Sequence, residues 1–207
     1  MLGKRNYSLT SCLIILSCTY MYKINILLKQ NQKVFHTNDL AILWGITNKN
    51  TLYTTIKRYV RKNILIPIQK GFYSIVPIEN IDPVRLALGI LHRFAYVSCE
   101  TVLAQNGVIF QKGEATTLVS DISRKFMLHD KLYIVRKLKD EYLFNDLGIE
   151  NRDGLYYANL ERAAADMLYF NPLFYFDNQK AIDWKKVREI QKVYPEEHTR
   201  RREVGYL

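Results

Sequence analysis

The spacing of apolar residues changes along the first third of the chain, and this change constrains the fold more than any other feature. From Met21 onward, apolar side chains recur with helical spacing. A short second helix is expected between Thr37, its predicted N-cap, and Gly45, which ends it. Thr47 or Asn48 can then cap a third helix, whose buried face is formed by Leu52, Ile56, Tyr59 and Val60.

A β-hairpin is expected directly after the third helix. Residues 64–66 and 72–76 are rich in β-forming side chains, and Gln69, Lys70 and Gly71 between them form a turn sequence. Helices followed by a hairpin in this order are typical of a winged helix-turn-helix. The pattern therefore assigns residues 21–78 to a DNA-binding domain of that type.

The third helix carries polar and basic side chains opposite its apolar face. Asn and Arg can read base edges, whereas Thr, Lys and Tyr can reach phosphates. In a winged helix the third helix enters the major groove and the hairpin tip contacts the backbone. The alternative is a solvated basic face, since any surface helix exposes charge. The residues predicted to contact DNA are Lys49, Asn50, Tyr53, Thr54, Lys57, Arg58, Arg61 and, at the hairpin tip, Lys70.

The positive charge is concentrated in the same part of the chain. The 207 residues have a formal net charge of +10. Residues 1–90 hold 12 Lys and Arg against 3 Asp and Glu, whereas residues 91–207 hold 18 against 17. An excess of cations favours a polyanionic partner, so the charge pattern predicts a basic module followed by a nearly neutral one.

The second part of the chain mixes helical and strand-like segments. Asp82 as N-cap and Pro83 as first helical residue begin a helix to about Arg93, and Ser98 is expected to cap a short helix that ends at Gly107. The expected fold class is α+β, with the winged helix-turn-helix followed by a mixed α/β domain over residues 82–195 and a basic tail over 196–207. Further strands are expected at 115–119, 132–135 and 155–158, and further helices at 160–170 and 184–192.

No combination of residues in the second part predicts catalysis, a metal ion or a cofactor. Arg162 and Asp166 stand four residues apart on one helix and are expected to form a surface ion pair. No histidine can be assigned from the sequence as a catalytic partner of Cys99, which favours a buried structural thiol over a nucleophile. We therefore expect no enzyme. A metal-dependent nuclease built on Asp166 or Asp177 is the alternative.

Residues 1–20 resemble a short signal sequence, because Lys4 and Arg5 precede the apolar run 12–18. That run is far shorter than the roughly 20 apolar residues of a membrane span. The simpler interpretation is that translation starts at Met21, and a membrane anchor is the alternative. Three cysteines at spacings typical of neither zinc nor disulfide frameworks favour a reducing, cytoplasmic location.

Three segments resemble the AbiEi-type antitoxins of the type IV toxin–antitoxin family. Residues 94–109 resemble the family's "aYvSletaLaxxGli" segment, and residues 160–169 resemble its "xERAlxDlly" helix. The hairpin segment 69–73 is similar to the family's "rGxYxi" signature. The resemblance extends over about residues 21–195.

The resemblance implies two activities. The N-terminal winged helix would bind inverted repeats of double-stranded DNA in its own promoter and repress the operon. The C-terminal domain would neutralise a nucleotidyltransferase-like toxin without a stable complex. The chain departs from the family in its short C-terminal part and its first 20 residues. A plain winged-helix transcription regulator without antitoxin activity is therefore the alternative.

Overall fold

The computed structural model of the protein describes residues 23–110, 113–128 and 130–195. The chain forms two compact units, the first ending at Asp82 and the second beginning at Pro83. The expectations for residues 1–20, for Met21 and for the tail 196–207 lie outside the described residues. Within the described ranges, no helix combines the length and the apolar character needed to cross a bilayer.

The first unit combines helices with a small antiparallel sheet in which β3 lies between β1 and β2. Its elements in chain order are α1 (23–28), β1 (Val34–His36), α2 (Thr37–Trp44), α3 (Lys49–Arg61), β2 (Ile66–Gln69) and β3 (Phe72–Ser74), followed by a 3₁₀ turn (Ile78–Asn80).

Local hydrogen bonds set the ends of α2 and α3. The backbone N–H of His36 donates to the Asp39 carboxylate at 2.8 Å, so His36 caps α2 and the expected cap Thr37 is its first helical residue. Gly45 ends α2 with a φ of +62°, a conformation that glycine adopts without Cβ strain. Asn48 caps α3 by accepting a hydrogen bond at 3.1 Å from the backbone of the third residue of that helix.

The sheet of the first unit has one strand more than the expected hairpin. β2 begins two residues later than expected and β3 ends two residues earlier, with Lys70 and Gly71 in the turn between them. The sequence pattern does not predict β1, because three residues are too few to establish a period of two. This segment becomes a strand by pairing with β3, where Phe35 lies opposite Tyr73.

The first unit has its own hydrophobic core. Val60, expected in this core, is only half-buried, because it lies at the border of the apolar face of α3. Trp44 packs against Tyr59 with 5.1 Å between ring centroids. The buried residues are Leu27, Phe35, Leu40, Trp44, Leu52, Ile56, Tyr59 and Leu65.

The second unit is built on a mixed six-stranded sheet with the strand order β6-β7-β5-β4-β9-β8. The pairs β5/β7 and β4/β9 are parallel, and the other neighbours are antiparallel. The α+β class is therefore confirmed. The elements are α4 (Pro83–Leu91), β4 (Ala95–Val97), α5 (Glu100–Gln105), β5 (Ala115–Ser120), β6 (Arg124–Leu128), β7 (Lys131–Lys137), α6 (Asp140–Leu143), β8 (Ile149–Arg152), β9 (Leu155–Ala158), α7 (Leu160–Phe170) and α8 (Trp184–Gln191).

The sequence pattern misses three strands and the short helix α6 of this unit, and it misplaces one cap. Strands β4, β6 and β8 are not predicted, and α4 ends at Leu91 rather than near Arg93. The cap expected at Ser98 is wrong, since the cap position of α5 is Cys99 and Ser98 is buried. Ser98 instead donates its hydroxyl hydrogen to Asp166, which lies far away in the sequence.

Candidate nucleic-acid interface

Helix α3 exposes a face that carries basic residues and no carboxylate. Its opposite face is buried in the core of the first unit. Because side chains four residues apart lie on the same side of a helix, the exposed residues form two parallel stripes. All seven α3 residues predicted to contact DNA are exposed. The inner stripe consists of Tyr53, Lys57 and Arg61, with Lys49 one turn before it, and the outer stripe consists of Asn50, Thr54 and Arg58.

The positive charge of this face is not neutralised by neighbouring carboxylates. Among the residues that the structure describes, no carboxylate forms an ion pair with a basic side chain of α3. Lys23 of α1 lies near this face, where burial and then the nearby charge of Arg58 lower the pKa of its ammonium group. The Lys23 Nζ also lies 5.8 Å from the centroid of the Trp44 ring. Several uncompensated cations on one surface attract a polyanion.

Lys70 lies on a separate element, at the exposed tip of the hairpin between β2 and β3. The neighbouring Gly71 has a φ of +78°, which permits the tight turn. The Gly71 carbonyl accepts hydrogen bonds from the backbone N–H of Thr37 at 2.9 Å and from the Thr37 hydroxyl at 3.3 Å. The hairpin tip is therefore fastened to the start of α2.

A shallow groove separates α3 from the sheet of the first unit, and we call it the α3 groove. Of the two stripes, only the inner one lines it. Sequence reasoning missed the two sheet residues in its wall, Pro67 and Tyr73, which pair across β2 and β3. The expected hairpin contains Tyr73 but ends its first strand one residue before Pro67, and it does not indicate which face of the sheet approaches α3. The groove is lined by Tyr53, Ile56, Lys57, Val60, Arg61, Pro67 and Tyr73.

The ion pair expected on the surface of α7 is instead completely buried, with no exposed side-chain area on Arg162 or Asp166. The Nε of Arg162 donates to Asp166 at 3.0 Å. A buried guanidinium requires acceptors for all its N–H groups. The remaining acceptors are the carbonyls of Asn145 (3.0 Å), Leu147 (3.1 Å) and Tyr142 (3.1 Å) and the phenol oxygen of Tyr96 (2.9 Å).

The Asp166 carboxylate completes this cluster, which we call the Arg162 network. It accepts hydrogen bonds from the Ser98 hydroxyl at 2.6 Å and from the Tyr194 hydroxyl. Burial opposes the charge of Arg162, but Asp166, Tyr96 and Tyr194 together outweigh it, so the pKa of the guanidinium is raised. Burial and then Asp166 raise the pKa values of Tyr96 and Tyr194 well above their usual range. The network is closed to solvent, and its side chains are used to satisfy one another.

Other side chains of the second unit that could act as a nucleophile or as metal ligands likewise have structural roles. Cys99 is fully buried, and burial raises the pKa of its thiol, which disfavours the nucleophilic thiolate. Asp177 accepts a hydrogen bond from the backbone N–H of Phe110 at 2.8 Å, and Asp183 caps α8. Within residues 23–110, 113–128 and 130–195, no group of three His, Cys, Asp or Glu side chains could hold a metal ion.

Comparisons with known proteins give a distant structural likeness. No family model matches the sequence, and no curated protein does. Among solved structures, the chain is similar to the crystal structure of the RV2827C protein from Mycobacterium tuberculosis, with 12% sequence identity and a TM-score of 0.46. The likeness covers 92% of this chain and 72% of that one. At this level of similarity, no property of that protein is carried over.

Proposed function

We propose that this protein is a DNA-binding repressor that uses its first unit as a winged helix-turn-helix. In this proposal α3 enters the major groove and the hairpin tip at Lys70 contacts the DNA backbone. The observation that carries it is the exposed face of α3, which presents Lys49, Lys57, Arg58 and Arg61 without a carboxylate on the same helix. Uncompensated charge on a projecting helix is suited to phosphates and base edges.

The test is DNA binding as a function of salt. The probe is a duplex from immediately upstream of the gene, and the variants are Lys57→Ala and Arg58→Ala. Each variant loses one cation, so its affinity should fall, and the slope of log K against log salt should flatten by about one where the lost cation contacts a phosphate. Lys125→Ala is the control, because Lys125 is an exposed cation on β6 of the second unit. Unchanged binding by both α3 variants, with their folds intact, contradicts the proposal.

We further propose that the second unit gives the protein antitoxin activity against a nucleotidyltransferase-like toxin. Two of the sequence segments that resemble AbiEi-type antitoxins support this proposal, because they meet in the core. Tyr96 and Ser98 of the first segment hydrogen-bond to Arg162 and Asp166 of the second, respectively. Four letters shared with the two motifs, at Tyr96, Ser98, Arg162 and Asp166, therefore belong to one buried network. A plain transcription regulator is the alternative.

Growth rescue tests the antitoxin activity. The adjacent gene is expressed alone and then together with this protein, and growth is followed. A toxic neighbour whose effect is relieved supports the antitoxin proposal. The control is a Lys57→Ala, Arg58→Ala double variant, which should lose repression but keep the rescue when both genes are expressed from foreign promoters. Toxicity without rescue reduces the function to transcription regulation.

A further inference from the structure

We propose that the α3 groove seats one strand of DNA by its sugar-phosphate backbone, so that the two stripes of α3 have different roles. The inner stripe would position the duplex through phosphates, and the outer stripe would read base edges. This inference rests on the proposed DNA-binding function and deepens it. It also adds Pro67 and Tyr73, which lie outside α3, to the interface.

The chemistry of the groove suits a sugar-phosphate backbone. Its lining contains two cations, Lys57 and Arg61, and no carboxylate. These cations stand four residues apart, about one helical turn of 5.4 Å, so they can contact separate phosphates along one strand. The partly exposed Val60 and the exposed Pro67 offer apolar surface between the helix and the sheet. Deoxyribose carbons can pack there while the phosphates reach the cations.

The residue types of the two stripes match this division. Asn50 and Arg58 of the outer stripe can make bidentate hydrogen bonds to adenine and guanine, respectively. The inner stripe holds Tyr53, whose side chain is 56% exposed, together with the two cations. Tyr53 can reach phosphate oxygens but makes no bidentate base contact. Lysine and arginine can contact phosphates as well as guanine, so it is their place in the groove, beside Val60 and Pro67, that assigns Lys57 and Arg61 to the backbone. Contacts to the backbone are independent of sequence, so the groove can be tested without knowledge of the operator.

The experiment measures binding of the full chain to a random-sequence 30-base-pair duplex by fluorescence anisotropy over a range of salt concentrations. Pro67→Glu places a carboxylate in the groove, and Ile42→Glu is its matched control. Ile42 lies on α2 of the same unit, outside the groove, and is 79% exposed. Both variants change the net charge equally, so any difference between them reports local contact. We expect Pro67→Glu to weaken binding about tenfold more than Ile42→Glu, by repulsion of nearby phosphates.

A second pair of variants distinguishes a changed DNA contact from a folding defect. Pro67→Lys should tighten binding and steepen the salt slope by about one, because it adds a phosphate contact, whereas Ile42→Lys should change the slope little. A misfolded protein cannot produce tighter binding of this kind. If the wild type binds the duplex but both Pro67 variants behave like their Ile42 controls, the groove assignment is overturned and the proposed function stands. If the wild type does not bind DNA at low salt, both fail.

Discussion

At the scale of single residues, Arg162 is the buried charge on which the second unit most depends for hydrogen-bonded compensation, because its guanidinium has five acceptors in the core. Removal of one partner from a buried, hydrogen-bonded ion pair leaves the other charge uncompensated. Arg162→Leu should therefore reduce the free energy of unfolding by about 3 to 5 kcal/mol. The measurement is chemical denaturation, with the half-buried neighbour Glu161→Ala as the control. A loss no larger than that of the control would mean that the network contributes little to stability.

The phenols of the Arg162 network make the protein sensitive to alkali. Their folded pKa values are raised, so these groups stay protonated in the folded state at a pH where unfolded tyrosines ionise. Below the unfolded tyrosine pKa near 10, these phenols do not reduce the free energy of unfolding. As the pH rises above that value, the free energy of unfolding falls by about 1.4 kcal/mol per pH unit for each phenol.

Tyr194→Phe removes one of these ionisations and should reduce the alkaline slope of stability. The free energy of unfolding is measured between pH 8 and pH 11. Tyr175→Phe is the control, because Tyr175 is 69% exposed and outside the network. Equal slopes in the wild type and Tyr194→Phe would show that this phenol is not the source of the pH dependence.

At the scale of elements, Gly148 allows the loop before β8 to pack closely against α7. A Cβ atom at this position would lie 2.8 Å from the Cβ of Arg162 and 2.9 Å from the Asn159 side-chain oxygen. Gly154 has nearly the same φ, +79° against +78°, but nothing lies within 4 Å of its Cβ position. A side chain at either glycine would therefore cause similar backbone strain, but only a side chain at Gly148 would also clash with its neighbours.

Alanine substitutions at these glycines separate the two effects. Gly154→Ala should cost about 1 to 2 kcal/mol of unfolding free energy, from the left-handed backbone alone. Gly148→Ala should cost about 1 to 3 kcal/mol more, because overpacking displaces α7. Thermal and denaturant unfolding of both variants provide the comparison. Equal losses would mean that the close approach of the loop to α7 is unimportant.

At the scale of the whole molecule, the two units have separate hydrophobic cores. We expect a core change in one unit to act on that unit. Arg162→Leu should lower amide hydrogen-exchange protection in residues 83–195 and leave α3 protected. Leu40→Ala, in the core of the first unit, should have the opposite pattern, with a loss of about 2 to 5 kcal/mol. Loss of protection in both units from either change would show that the chain unfolds as one cooperative body.

The sequence alone predicts the features that depend on neighbours within about one helical turn. It predicts the left-handed end of α2 at Gly45, the cap of α3 at one of two residues and the full extent of α7 and of β9. It also places the basic residues of α3 on one exposed face. Caps, turns and periodicity act over a few residues, so their signals are complete in the local sequence.

Features that depend on distant partners are set by tertiary packing and cannot be predicted from local sequence. The segment β4 is a central strand because β5 and β9 flank it, and β9 lies about 60 residues further along the chain. The spacing of Arg162 and Asp166 predicts an ion pair but not its burial. Burial depends on hydrogen-bond acceptors supplied by Tyr96, Tyr142, Asn145 and Leu147. The α3 groove likewise forms only because Pro67 of β2 lies close to α3. Packing of elements distant in sequence sets burial and groove shape, and no local spacing contains that information.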